Sequence, residues 1–253
     1  MDDHVNKGSL SDKDIERFLL VCLFGSRYNT IKTGRDKIVL AIRRAYRDFS
    51  RTIIKDQIEP EKPEEVKNDE DFDKRHGSKG KAARKIVCAI DKRYTKEYAK
   101  WNEDLSVATK YDLNDYDKWH ENLCKEIVKE RYTYGQAQKW VNMTMKYLLV
   151  LKFEPVVKTI SQLHIPLDYI IVMDKAIKQY KLFTTKELND IYRREPVLLN
   201  KKGLPAEFSW SRINSYDKYI SIQALLKDRL EQKGFNNSIS WEFAVWNESN
   251  DKE

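Results

Sequence analysis

Apolar residues recur at helical spacing along most of the chain. In SDKDIERFLLVCLFGS, residues Ile15, Phe18, Leu19, Cys22 and Leu23 fall at i, i+3, i+4, i+7 and i+8. That is one stripe of an amphipathic helix, opening at a Ser or Asp cap and stopping at Gly25, and it is expected to be a core helix. TGRDKIVLAIRRAYRDFSRTI repeats the pattern, with Ile38, Val39, Ile42, Ala45, Tyr46 and Phe49 inward and a comb of arginines, Arg35, Arg43, Arg44 and Arg47, outward. KAARKIVCAIDKRYTKEYAKW and NDYDKWHENLCKEIVKER read as two further amphipathic helices, the second capped by Asn114 or Asp115. Alternating runs are few and the chain holds only 8 glycines, so the pattern predicts an all-α fold.

Two stretches interrupt the regular stripes. Residues 59–85 are acidic first and basic afterwards and read as an exposed charged loop or insertion. At its basic end Lys79 and Lys81, with Arg84 and Lys85, flank Gly77 and Gly80, a setting that can clamp a phosphate at the start of the next helix. In ERYTYGQAQKWVNMTMKYLLVL, the break RYTY and Gly135 separate two helices, which predicts an αα-hairpin over residues 115–152. The backbone N–H groups at the second helix's start, around Thr133, Tyr134, Gly135, Gln136 and Ala137, are expected to face outward and to hold an anion such as a DNA phosphate.

That second helix is apolar on almost every side, yet Lys139 and Lys146 lie seven residues apart on one stripe of it. Lys146 reads as a lysine that reaches out or pairs with a carboxylate. Lys139 reads alone as a helix-start lysine touching solvent or phosphate. Further on, HIPLDYIIV places Asp168 after a proline and before an apolar run, where it is a natural helix cap within a segment spanning residues 163–173.

Composition narrows the function classes. The 253 residues, 41% hydrophobic and 34% charged, are ample for a core and read as a single domain over 1–253. A net charge of +7 points to a polyanionic partner. The three cysteines, Cys22, Cys88 and Cys124, form no CxxC pair, which argues against a disulfide framework and a structural metal. The polar start and the lack of a run of about 18 apolar residues argue against a membrane protein. A cytoplasmic, monomeric protein is expected, with no cofactor.

YGQAQKWVN resembles the hairpin segment of the helix-hairpin-helix DNA glycosylase superfamily, which has a glycine, a lysine four residues on and an asparagine three further on. Gly135, Lys139 and Asn142 fall on those positions. IPLDYII is similar to the loop that carries that superfamily's aspartate, at Asp168 here. The lysine spacing of seven and the closing SISWEFAVW look most like the archaeal 8-oxoguanine glycosylase branch. Ala137 stands where the pattern commonly has a second glycine, Tyr169 follows the aspartate in place of Thr, and the four-cysteine iron–sulfur signature is absent.

The resemblance implies a two-lobed helical bundle with a cleft between the lobes, acting on double-stranded DNA that contains a modified base. Lys139 is implied as nucleophile and Asp168 as its electrostatic partner. Burial among Val141, Met143, Met145, Leu148 and Leu149 is expected to favour the neutral amine that nucleophilic attack requires. An extruded base needs a pocket with aromatic or apolar walls, for which Trp241, Phe243 and Trp246 are candidates, and Asn142 is a further pocket candidate. The implied substrate is oxidised guanine in repair, or a hypermodified phage base such as glucosylated hydroxymethylcytosine in antiviral defence. Two other readings stay open: a non-enzymatic DNA-binding module that uses only the hairpin, and a basic helical protein whose arginine comb binds another protein.

Overall fold

The computed structural model describes residues 11–50, 77–97, 114–192 and 210–248, and within them the fold is an all-α bundle with no strand. Helix α1 (Asp12–Phe24) starts on a capping box in which Ser11 and Asp14 satisfy each other's backbone N–H, and it stops at Gly25, whose φ of +82° is left-handed. Its expected role is corrected. Ile15, Phe18 and Leu19 are 42%, 66% and 58% exposed, Cys22 is exposed, and only Phe24 is buried. Periodicity identified which residues share a face, but it does not say whether another element covers that face.

Helix α2 (Gly34–Ser50) buries Ile38, Ile42, Ala45 and Phe49 as expected. The arginine comb is not all outward. Arg43 is buried, and Arg44 pairs with Asp48 at 2.7 Å while its guanidinium stands 5.5 Å from the Tyr147 ring centre. Arg35 and Arg47 are exposed.

The charged stretch needs a boundary change. Residues 59–76 lie outside the described residues, but from Gly77 onward the chain is helix α3 (Gly77–Asp91), so the predicted loop overran the helix start by nine residues. Gly80, Ala82, Ala83, Ile86, Val87 and Ile90 form its buried face, and small residues dominating the first half of that face obscured it in the sequence. Lys79 places its ammonium 4.2 Å from the Tyr46 ring centre, a cation–π contact, whereas Lys81 is exposed. Lys85 bridges to Glu126 of the next helix at 3.3 Å and to Glu130, in the turn just beyond that helix, at 2.7 Å. A π-type turn, Lys92–Glu97, follows α3.

Helix α4 (Asn114–Val128) leads through a short turn, with Arg131 left-handed at φ 69°, into α5 (Tyr134–Val150). The side chains of Asn114 and Asp115, the expected caps of α4, lie outside the described residues. Thr133 and Gln136 form a capping box at the head of α5. This helix is the centre of the bundle, with 13 of its 17 residues buried. Trp140 anchors it to α2, donating from Nε1 to the Ile42 carbonyl at 3.1 Å among the rings of Tyr46, Phe49 and Tyr132. Burying side chains such as Met145 and Leu148 contributes about 1.5–3 kcal/mol each, which is why an all-round apolar helix belongs at the centre.

After the short α6 (Glu154–Val157) the chain passes through residues 163–168, which belong to no helix or strand, into α7 (Ile170–Gln179), a π-helix, and then α8 (Thr185–Tyr192). A 3-10 turn, Trp210–Arg212, precedes α9 (Tyr216–Gln232) and α10 (Ser238–Glu248). No helix among the described residues is long and apolar enough to cross a membrane.

Candidate active site

Lys139 and Asp168, 29 residues apart in sequence, meet at one point. The lysine Nζ lies 3.3 Å from Asp168 Oδ2, and both side chains are largely shielded from solvent. The ammonium also stands 4.4 Å from the ring centre of Trp210, itself buried. The other carboxylate oxygen of Asp168 accepts the Ile171 N–H at 2.9 Å, so the aspartate caps the following helix and faces the lysine at once.

Side-chain amides hold the segment that delivers Asp168. Residues 163–168 lie in neither helix nor strand, so their backbone polar groups must find other partners. Gln138 on α5 supplies two, donating from Nε2 to the Leu167 carbonyl at 3.2 Å and accepting the Leu167 N–H at Oε1 at 3.4 Å. Asn142, one turn on, donates to the Ile165 carbonyl at 3.1 Å, and Gln223 on α9 donates to the same oxygen at 2.7 Å. Asn142 is also bonded to Gln138 Oε1, to Tyr219 Oη and, through Oδ1, to His120 Nε2. From Tyr219 the chain of hydrogen bonds continues to His164 Nδ1 at 2.8 Å and from His164 Nε2 to Asp117 at 2.8 Å. Burial, helped by neighbouring His164, pushes the His120 imidazole well below the usual histidine range.

The head of α5 is closed against the Trp210 turn. Gly135 donates its N–H to the Ile213 carbonyl at 2.8 Å, and the Thr133 hydroxyl donates to the Ser211 carbonyl at 2.6 Å. The Gln136 N–H is taken by Thr133 Oγ1 at 3.1 Å and the Ala137 N–H by the Thr133 carbonyl. The expectation that these N–H groups are free for a phosphate is therefore corrected. Tyr134, Gly135, Gln136 and Ala137 are buried, and Thr133 is half-buried.

Lys146, two turns beyond Lys139, pairs with Glu242 of α10 at 2.6 Å, the carboxylate pairing expected of it. Glu242 is buried, its Oε2 has no hydrogen-bond partner, and Trp246 Nε1 lies 3.3 Å from its Oε1. Burial raises the Glu242 carboxyl above the usual range, with Lys146 opposing and Asp168 adding to the rise. The rings of Phe243 and Trp246 lie 5.2 and 5.6 Å from the Lys146 ammonium.

Of the four pocket candidates, Phe243 and Trp246 stand beside this second lysine, with Trp246 partly exposed. The other two are corrected. Asn142 is fully buried in the amide network, and Trp241 is fully buried with its ring 5.6 Å from Tyr180, so both belong to the core. Sequence reading missed Gln138, Gln223 and Glu242, and it gave Trp210 only as one of several C-terminal aromatic candidates for the pocket. Gln138 and Asn142 did leave a signal, two amides at i and i+4 on a helix that is apolar on most of its sides.

Among the described residues no group of three or more His, Cys, Asp or Glu side chains is placed to hold a metal ion. No family model, curated protein or solved structure matches this chain.

Proposed function

We propose that this protein is a DNA N-glycosylase with associated strand-cleaving activity, in which α4, its turn and α5 serve as a helix-hairpin-helix element and the modified base enters a cleft between two lobes. The observation that carries this reading is the shielded pairing of Lys139 with Asp168 beneath the Trp210 ring. A lysine facing an aspartate across 3.3 Å in a site walled by indole has the parts that attack at a sugar carbon requires.

In this mechanism the Lys139 ammonium gives a proton to Asp168, and the freed amine attacks C1′ of the extruded nucleotide. The N–C1′ bond of lysine forms as the bond to the base breaks, and the base leaves with its electron pair and takes up a proton. Asp168 passes that proton to the leaving base, and the carboxylate so restored stabilises the positive charge that develops on the sugar. Opening of the sugar gives a Schiff base. Loss of a C2′ proton then expels the 3′ phosphate and nicks the strand. The substrate class is a modified base in double-stranded DNA, either oxidised guanine or a glucosylated hydroxymethylcytosine.

The binding-only alternative loses support from the closed head of α5, where the N–H groups of Gly135, Gln136 and Ala137 are already bonded within the chain. Borohydride trapping tests the proposal. Purified protein is reduced in the presence of labelled duplexes carrying 8-oxoguanine, uracil, hydroxymethylcytosine or glucosylated hydroxymethylcytosine. A covalent adduct on one duplex, absent with Lys139→Gln, is expected and names the base. Absence of both adduct and alkali-labile sites on the whole panel overturns the reading for these bases.

A further inference from the structure

Gln138 makes a two-point contact with Leu167, the residue immediately before Asp168, and it adjoins Lys139 on the same turn of α5. Its side chain is fully buried, with Nε2 also donating to the Gly135 carbonyl at 2.9 Å and Oε1 accepting from Asn142 at 3.0 Å. In a sheet, a residue obtains such a donor and acceptor pair from a neighbouring strand. Here a glutamine side chain takes the strand's place. Asn142 and Gln223 hold the Ile165 carbonyl two residues upstream, so the segment is fixed at two points before it reaches Asp168.

We infer that Gln138 is a positioning residue for the Lys139 and Asp168 pair, with Asn142 and Gln223 as its supports. The inference rests on the glycosylase reading for its catalytic consequence, but not for its geometry. A polar side chain buried on a central helix carries a desolvation cost, and an apolar residue of similar length would fill the space as well. What the apolar residue cannot do is fix the peptide that carries the carboxylate. Lys139 Nζ and Asp168 Oδ2 are held by flexible side chains, so their 3.3 Å separation depends on where the two backbones sit, and Gln138 joins those backbones directly.

The test compares Gln138→Met, similar in length but without the two-point contact, with Gln138→Glu. A protonated carboxylic acid presents one donor and one acceptor, as the amide does, whereas the carboxylate presents acceptors only. Single-turnover excision and borohydride trapping are measured on the duplexes carrying 8-oxoguanine and glucosylated hydroxymethylcytosine, alongside duplex affinity. For Gln138→Met the rate is expected to fall on the order of a hundredfold at every pH, as for a small displacement of reacting groups, with affinity within about twofold. For Gln138→Glu, expressed relative to wild type at each pH, the rate is expected to recover as pH falls from about 8 to about 5.5, when the introduced carboxyl takes up its proton. A Met variant within about threefold of wild type, or a Glu variant with no pH-dependent recovery, overturns the inference.

If wild type acts on neither duplex, a crystal structure of Gln138→Met decides the matter without chemistry. An unchanged separation of Lys139 and Asp168 overturns the positioning role. A widened one supports it while the glycosylase reading falls separately.

Discussion

A Cβ built on Gly135 would lie 1.8 Å from the carbonyl oxygen of Trp210 and 2.9 Å from its carbonyl carbon. The head of α5 and the Trp210 turn thus touch backbone to backbone, and no side-chain rotation can relieve an added methyl. Alanine in a helix normally stabilises by up to about 1 kcal/mol over glycine, so the sign of Gly135→Ala is diagnostic. It is expected to destabilise by about 3 kcal/mol through overpacking, a fall in Tm of roughly 6–12 °C for a chain of this size. Thermal melting of the variant measures it, and an unchanged or raised Tm would refute the close approach.

Asp168 has two separable jobs, one per oxygen. Asp168→Asn keeps an acceptor for the Ile171 N–H, whereas Asp168→Ala removes both the acceptor and the lysine's partner. The alanine variant is expected to be less stable than the asparagine variant by about 1 kcal/mol, the usual worth of a helix cap. Borohydride trapping is expected to fall in both. Urea denaturation separates the two effects, and equal stabilities would remove the capping role.

Lys146→Met leaves Glu242 buried without its cation. The expected cost near neutral pH is about 3 kcal/mol, and Lys146→Met combined with Glu242→Leu should recover most of it, because two apolar residues do not need each other as two charges do. Burial already raises the Glu242 carboxyl above its ordinary range in the fold, and removing the Lys146 cation, which opposes that rise, raises it further. The penalty for its ionised form is absent below the ordinary carboxyl value and grows as pH rises through the raised value. The single variant's deficit should therefore shrink on acidification, as chemical denaturation at several pH values would show.

His120 gives the opposite slope. Its pKa is lowered in the fold, so below about pH 6.5 the unfolded chain takes up a proton that the folded chain refuses. Stability is lost as pH falls through that window, at about 1.4 kcal/mol per pH unit once the unfolded group is protonated. His120→Gln retains a donor for Asn142 Oδ1 and removes the titration. Its stability curve should be flatter than wild type's below pH 6.5 by about that slope, and parallel curves would exclude His120 as the cause.

Phe18 tests the corrected role of α1. At 66% exposure, Phe18→Glu is expected to change stability by less than about 0.5 kcal/mol. A loss of several kcal/mol would restore the core assignment.

These cases show where sequence was informative. Spacing located the helices, because a 3.6-residue period is local, and the glycine, lysine and aspartate pattern selected two residues that the fold brings to 3.3 Å. Burial was less legible. Phe18 and Trp241 are both aromatic residues on helical stripes, yet one is exposed and the other fully buried, since that depends on elements distant in sequence. Asn142 was placed in the site by its motif position, but its amide is spent on Ile165 and its neighbours in the core. The closeness of Trp210 to Lys139 left no local signal, because it arises from a turn 71 residues away.

Helix α5 carries both the amine of Lys139 and, one residue earlier, the amide that grips the aspartate's segment. Any rigid shift of that rod moves amine and grip together, so to first order the gap between amine and carboxylate is indifferent to how the rod settles among its neighbours. Insertions or drift in the outer helices can then accumulate without detuning the pair. The same economy makes residues 134–150 with 163–171 a natural unit for transplantation into another helical scaffold.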